Sequence, residues 1–327
     1  LRVGTRYSTG DPEGSTGYDG QFYYYMARDP GEGWQYVDVP AYRYQRILYP
    51  LAARAISLGY ERALPWTMIA INLGSLAASV AIVEALLVDC GASRWYAITV
   101  GLYGGQLFSA LAGLADPLAL CLALAAMLAY ARRKRLWSAG LFALAVLCKE
   151  TMWIVALAYV TYALKRGQFR QGLVMGASVS VPFALWQLCL WFWLGEPGIR
   201  TGGAGATPFH VVPFGALLSL ARVGWDVLAL FAAILAPIIV VPTVWAILAS
   251  GRSVLAGENH PWTWALLFVA IVIPFLPAST LLDLSAKPRF ASPLDALTLL
   301  FAAYQRRARV LNASLLWMTT AVLVPLT

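Results

Sequence analysis

The stretch 66-WTMIAINLGSLAASVAIVEALLV-88 carries a single charge, Glu84, along its whole length. An apolar run of this length suits a helix crossing a bilayer, whose hydrocarbon core takes about 20 residues. Working outward, similar runs recur at 95–112, 117–131, 137–148, 152–164, 171–194, 226–249, 262–279, 291–305 and 310–326. Several are shorter than a perpendicular crossing requires. The three short pieces within 117–164 are expected to be tilted, broken or re-entrant, which is tolerated where helices line a protein cavity. Trp66, Trp95, Trp137, Trp191, Trp193, Trp225, Trp262 and Trp264 fall near the ends of the runs, as an interfacial aromatic belt requires. The predicted fold class is all-α, a polytopic transmembrane helix bundle of about ten spans.

Composition agrees with this reading. The chain is 60% hydrophobic and 12% charged, with a mean hydropathy of +0.67, whereas a soluble domain carries about 25% charged residues. Residues 1–65 differ from the rest in being polar and rich in Gly and Tyr, which divides the chain into a first segment, 1–65, and a transmembrane domain, 66–327. The net charge of +8 is explained by basic cytoplasmic loops and calls for no nucleic acid. Cys90, Cys121, Cys148 and Cys189 stand singly in or beside apolar runs, without a CxxC pair, and read as small core residues. His210 and His260 lie far apart, and no motif supports a divalent metal.

Letting the loops alternate sides sorts the charges. One side receives Arg94, Arg132-Arg133-Lys134-Arg135, Lys165, Arg166, Arg170, Arg252, Arg306, Arg307 and Arg309, against only Asp89 and Glu258. By the positive-inside rule this side is cytoplasmic. The other side receives the N-terminal segment, Asp116, Lys149-Glu150, and the loops 195–225 and 280–290, with eleven of the sixteen acids. An outward N-terminal segment needs something to carry it across, so a helix before Leu1 is expected. Polar residues at span boundaries thus collect on one outward face, as a site facing the periplasm or exterior would require.

Two strings on that face carry chemistry: Gly17-Tyr18-Asp19-Gly20-Gln21-Phe22-Tyr23-Tyr24-Tyr25-Met26-Ala27-Arg28-Asp29-Pro30, and Tyr42-Arg43-Tyr44-Gln45-Arg46-Ile47-Leu48-Tyr49-Pro50. Asp19, flanked by Tyr and Gly at a helix start, reads either as a helix cap or as a general base beside aromatic rings suited to stacking on a sugar. These strings resemble the first extracytoplasmic loop of the GT-C glycosyltransferase superfamily, and within it a bacterial group associated with cell-surface glycopolymer formation, akin to the polyprenyl-phosphate-mannose-dependent mannosyltransferases. The resemblance implies an inverting enzyme of the bacterial plasma membrane that takes a sugar from a polyprenyl-phosphate carrier and needs no cofactor. It implies Asp19 as catalytic base, with Asp29 or Asp38 as second candidates, and Tyr18, Gln21 and Tyr23 around the substrate.

The likeness continues more weakly along the chain. Leu114-Ala115-Asp116-Pro117 and Leu147-Cys148-Lys149-Glu150 resemble the family's third to fifth spans. Asp116 can also be a cap before Pro117, and Lys149-Glu150 a local ion pair. Charged residues at a helix junction within membrane reach usually face a cavity. The segment 283-DLSAKPRFASP-293 resembles the place where the superfamily sets an Arg before a Pro near the lipid phosphate, which gives Lys287 and Arg289 a phosphate role or a contact with headgroups. The glycine-rich loop 195–213 matches no phosphate-loop pattern and reads as a lid or a linker. Asn312-Ala313-Ser314 is a sequon only formally, since it sits within an apolar run.

The expected partners are membrane lipids, a polyprenyl-phosphate-linked sugar and a glycan or lipid acceptor. The rival class is a non-catalytic subunit or scaffold of a larger membrane complex that keeps the same fold. A transporter ranks third, because it would show internal repeats and mid-bilayer charges. A single cysteine at Ser15, in a background lacking the native four, is expected to react with a membrane-impermeant thiol reagent only from the outer side. Labelling from the cytoplasmic side alone would invert the topology.

Overall fold

The computed structural model describes residues 3–281 and 287–324, with no side-chain description of Lys287, Pro288 and Leu323. Its regular elements are helical, and no strand occurs among the described residues. The principal helices are α1 (Gly20–Arg28), α2 (Pro40–Tyr44), α3 (Leu48–Ile56), α4 (Leu64–Asp89), α5 (Ile98–Gly101), α6 (Gly104–Leu111), α7 (Asp116–Ala131) and α8 (Arg135–Cys148). They continue as α9 (Trp153–Lys165), α10 (Phe169–Leu194), α11 (Trp225–Leu235), α12 (Val241–Leu255), α13 (Pro261–Val272), α14 (Lys287–Phe290), α15 (Ser292–Tyr304) and α16 (Ala308–Ser314).

Among the described residues three helical stretches are long and apolar enough to cross a membrane: Glu61–Asp89, Phe169–Leu194 and Trp225–Leu255. Three shorter apolar helices, Asp116–Ala131, Arg135–Cys148 and Pro261–Phe275, accompany them. Only 17% of the apolar window in Trp225–Leu255 is buried within the protein, which leaves an apolar face of the kind that lipid covers. The expected run 95–112 is broken into a 3₁₀ turn, α5 and α6, with Gly104 at the restart. A Cβ at Gly104 would come 2.2 Å from the carbonyl oxygen of Thr320, so only glycine admits that approach.

The chain forms two compact units. The first comprises residues 1–79, 109–153 and 177–205; the second comprises 80–108, 154–176 and 206–327. In the first unit α7 and α8 pair as an antiparallel hairpin across the basic turn Arg132–Lys134, where Arg133 takes a left-handed conformation at φ 62°. Helix α1 packs on α3, and α3 on α8, so the polar N-terminal segment rests on the apolar hairpin.

In the second unit α13 packs against both α12 and α15, and α15 against α16 and α5. Between α11 and α12 a π turn, Ala236–Val240, follows from two prolines. Pro242 has no N–H to offer the carbonyl of Ile238, four residues earlier, and the Trp317 indole donates to that oxygen at 3.0 Å instead. Glu84, the lone charge in the 66–88 run, lies 3.8 Å from Arg94, an exposed pair worth little energetically.

His260 caps α13 by accepting a hydrogen bond from the Trp262 N–H at 3.3 Å, and its ring stacks on Tyr304 at 3.8 Å. Burial pushes its imidazole down from 6.5 to about 4, against a small opposing pull from Glu258. Between those values the unfolded chain binds a proton that the folded protein does not, so this stability is complete above pH 6.5 and declines as pH falls toward 4. Thermal unfolding of the purified protein is expected to show that decline, and His260→Gln to flatten it over the same window.

Candidate functional site

The N-terminal segment is fixed first by its own backbone. Gly17 adopts φ +66°, and a Cβ there would meet the Gly4 nitrogen at 2.5 Å. Beside it the Gln21 amide is fully buried, accepting from the Gly4 N–H at 2.9 Å and donating to the Thr16 carbonyl at 2.5 Å. These bonds hold the turn that presents Tyr18, half-buried, and Asp19 at the start of α1. Asp19 occupies the cap position without capping the helix. Its carboxylate instead lies 3.1 Å from a terminal nitrogen of Arg43.

Arg43 is the hub of this region. Its guanidinium makes a two-bond contact with Asp38, Nε to Oδ1 at 2.6 Å and Nη2 to Oδ2 at 2.8 Å, and lies over the Phe22 ring at 4.4 Å. Burial disfavours the Asp38 charge, but the hydrogen bonds from Arg43 outweigh it and hold this carboxyl below the usual carboxylate range. The same carboxylate accepts from the Ala204 N–H at 2.9 Å. Part of the glycine-rich loop is thereby strapped onto α2. A Cβ at Gly198 would come 2.3 Å from the Ala41 carbonyl, and the Ile199 N–H donates to Gln187 at 3.1 Å.

One turn along, Arg46 grips Glu150 with Nε at 2.8 Å and Nη2 at 2.5 Å, and Nη2 also donates to the Tyr42 hydroxyl at 2.8 Å. Burial raises the Glu150 carboxyl, and the attraction of Arg46 more than reverses this, holding it below its ordinary value. Lys149 turns to the other side and forms a buried ion pair with Asp116. Lys149 and Glu150, adjacent in sequence, thus each bind a different, distant residue. Asp116 is the first residue of α7, and its carboxylate makes no cap bond. Tyr23 is buried within reach of the fields of Arg46, Asp116 and Arg43, and burial pushes its phenol up.

Seven charges thus share the first unit: Arg43, Arg46 and Lys149 against Asp19, Asp38, Asp116 and Glu150, a formal balance of 3 − 4 = −1. The four carboxylate side chains differ in access. Asp19 is 30% exposed, against 4% for Asp38, 22% for Glu150 and 8% for Asp116. Asp19 shares the Arg43 cation with Asp38 and is the most accessible of the four.

Of the other residues expected at the site, Asp29 is exposed at the end of α1, where its carboxylate accepts from Gly31 N–H at 3.0 Å and Glu32 N–H at 3.2 Å. Arg289 belongs to the second unit, with its guanidinium 5.1 Å from the Phe290 ring. The Lys287 side chain and Asp283 lie outside the described residues. Sequence reasoning gave no role to Arg43 and Arg46, the two residues that organise the cluster. Their signal was an Arg pair at three-residue spacing in an aromatic stretch, with acids upstream for Arg43 to satisfy. Comparisons with protein-family models, characterised proteins and solved structures find no match to this chain.

Removing one partner of the buried Lys149–Asp116 pair leaves an uncompensated charge, which costs about 3–5 kcal/mol. Asp116→Leu is expected to lower the unfolding temperature sharply in detergent. Combining it with Lys149→Met should recover most of the loss, and a double variant as unstable as the single one would show that the pair does more than satisfy itself.

Proposed function

We propose that this protein is a multi-pass membrane glycosyltransferase of GT-C type, with about ten spans, that transfers a sugar from a polyprenyl-phosphate carrier to a glycan or lipid acceptor outside the cytoplasm. The observation that carries the reading is the exposure of Asp19 within an otherwise closed network of buried ion pairs. A general base needs a carboxylate that an incoming hydroxyl can reach, held in one orientation; Arg43 supplies the orientation. Tyr23, Tyr25 and Tyr44 are buried, and the half-buried rings of Tyr18 and Tyr42 are left as surfaces against which a sugar can stack. Apolar helices with open faces suit a donor whose hydrocarbon chain stays in lipid.

In this mechanism Asp19 takes the proton from the acceptor hydroxyl. The oxygen attacks the anomeric carbon from the side opposite the phosphate, and the bond to the phosphate breaks with inversion. Basic groups stabilise the charge growing on the departing lipid phosphate, a role that the sequence resemblance alone gives to Lys287 and Arg289. The resemblance of the first loop and of the segment around Arg289 supports these roles, as does the sorting of basic residues to the opposite, cytoplasmic side.

A scaffold role is favoured by one feature: Asp116, Lys149 and Glu150 each have a partner within the protein, as purely structural charges do. Transfer assays separate the two readings. Membranes supplied with radiolabelled polyprenyl-phosphate sugars are expected to show transfer only when the protein is present. Asp19→Asn keeps an acceptor for Arg43 but cannot take up a proton, so activity should fall by about 10²–10⁴-fold in a folded protein. Arg289→Ala should chiefly weaken carrier binding. Near-normal turnover of a well-folded Asp19→Asn protein would remove Asp19 as base, and transfer indifferent to the protein itself would leave the scaffold.

A further inference from the structure

The second unit contains a buried polar cluster that the proposed reaction does not use. Asp295 sits one turn into α15, is 1% exposed, and neither of its carboxylate oxygens has a hydrogen-bond partner among the described residues. Helix α5 packs against α15, and the Tyr103 hydroxyl, fully buried just beyond α5, lies within electrostatic reach of that carboxylate. The Tyr103 oxygen also lacks a partner. So do the buried hydroxyls of Thr99, on α5, and of Ser292 and Thr298, about one turn either side of Asp295. A buried polar group left unsatisfied costs about 1–3 kcal/mol, and a charged one more, so several together call for an occupant.

The chemistry of the cluster narrows that occupant. Every donor atom is an oxygen, the set preferred by hard cations. One carboxylate among neutral hydroxyls balances one positive charge, and no group of three His, Cys, Asp or Glu side chains suited to a metal occurs among the described residues. A proton on Asp295 would neutralise the carboxylate but supply a single O–H donor to a cluster of four hydroxyl oxygens. Among the charged groups flanking α15, Arg289 on α14 makes no hydrogen bond to Asp295, and Arg307 stands twelve residues further along, about 18 Å at helical rise. We propose that Asp295 and Tyr103, with the adjoining hydroxyls of Thr99, Thr298 and Ser292, form a buried binding site for a monovalent metal cation.

The test uses the whole purified protein in detergent, with unfolding temperature followed during titration with NaCl, KCl or LiCl at ionic strength held constant by choline chloride. A saturable upward shift with at least one alkali cation and none with choline is expected, since a ligand that binds only the folded state stabilises it. Asp295→Asn, which keeps the shape and removes the charge, should abolish the shift. Thr298→Val and Tyr103→Phe should move its midpoint to higher cation concentration. Identical unfolding temperatures in every salt would overturn the proposal and leave Asp295 as a neutral acid. A shift that persists unchanged in Asp295→Asn, or in both hydroxyl variants, would place the ion elsewhere and overturn it equally.

Discussion

Arg46 and Glu150 stand 104 residues apart in the chain and meet through two short hydrogen bonds in a part of the protein where water is largely excluded. Two ions in such a place lose their hydration, and the loss is recovered only if both are paired and their remaining donors satisfied. Arg46 meets that condition by bonding Tyr42 as well. The pairing ties the polar N-terminal segment to the junction between α8 and α9, and it sets the positions of the residues on either side. Arg43, three residues before Arg46, is delivered to Asp38 and Asp19, and Lys149, one residue before Glu150, is delivered to Asp116. Misplacing any one of these ions would strand another without a partner.

The rest of the fold follows from a different shortage, that of backbone partners. Apolar helices with uncovered faces have no water to complete their hydrogen bonds, so every carbonyl must be satisfied from within. The region around Pro242 shows how this is managed: the proline withholds a donor from Ile238, and a tryptophan from the end of the chain supplies one. Lipid-facing apolar surface, closed backbone bonding and paired charges are responses to the same low-dielectric surroundings.

Against that background two carboxylates are exceptional, for opposite reasons. Asp19 is paired yet open to solvent, which suits a group that exchanges protons with an incoming molecule. Asp295 is closed off, and its carboxylate has no hydrogen-bond partner among the described residues, which suits a group that holds something small and permanent. One is placed at a helix start on a polar segment and the other inside an apolar helix, and it is burial rather than residue type that separates their chemistry.

The all-helical class and the apolar stretches were legible in the sequence, because hydropathy and helical period are local properties. The 66–88 run, for example, lies within a single helix, Leu64–Asp89. Helix breaks were less legible: 95–112 reads as one apolar run, and only contact with Thr320 explains why the chain stops and restarts at Gly104. Asp19, Asp116, Lys149 and Glu150 stood out because charges flanking apolar runs are conspicuous, but their partners did not. Lys149 and Glu150 are neighbours in sequence, yet each pairs with a residue far along the chain, and Asp295 drew no notice inside the 291–305 run. Sequence alone determined which residues avoid water and which carry charge. Only the tertiary structure decided which charges meet and which are left alone, because pairing depends on distances set by residues far apart in the chain, and its strength on burial that no single segment controls.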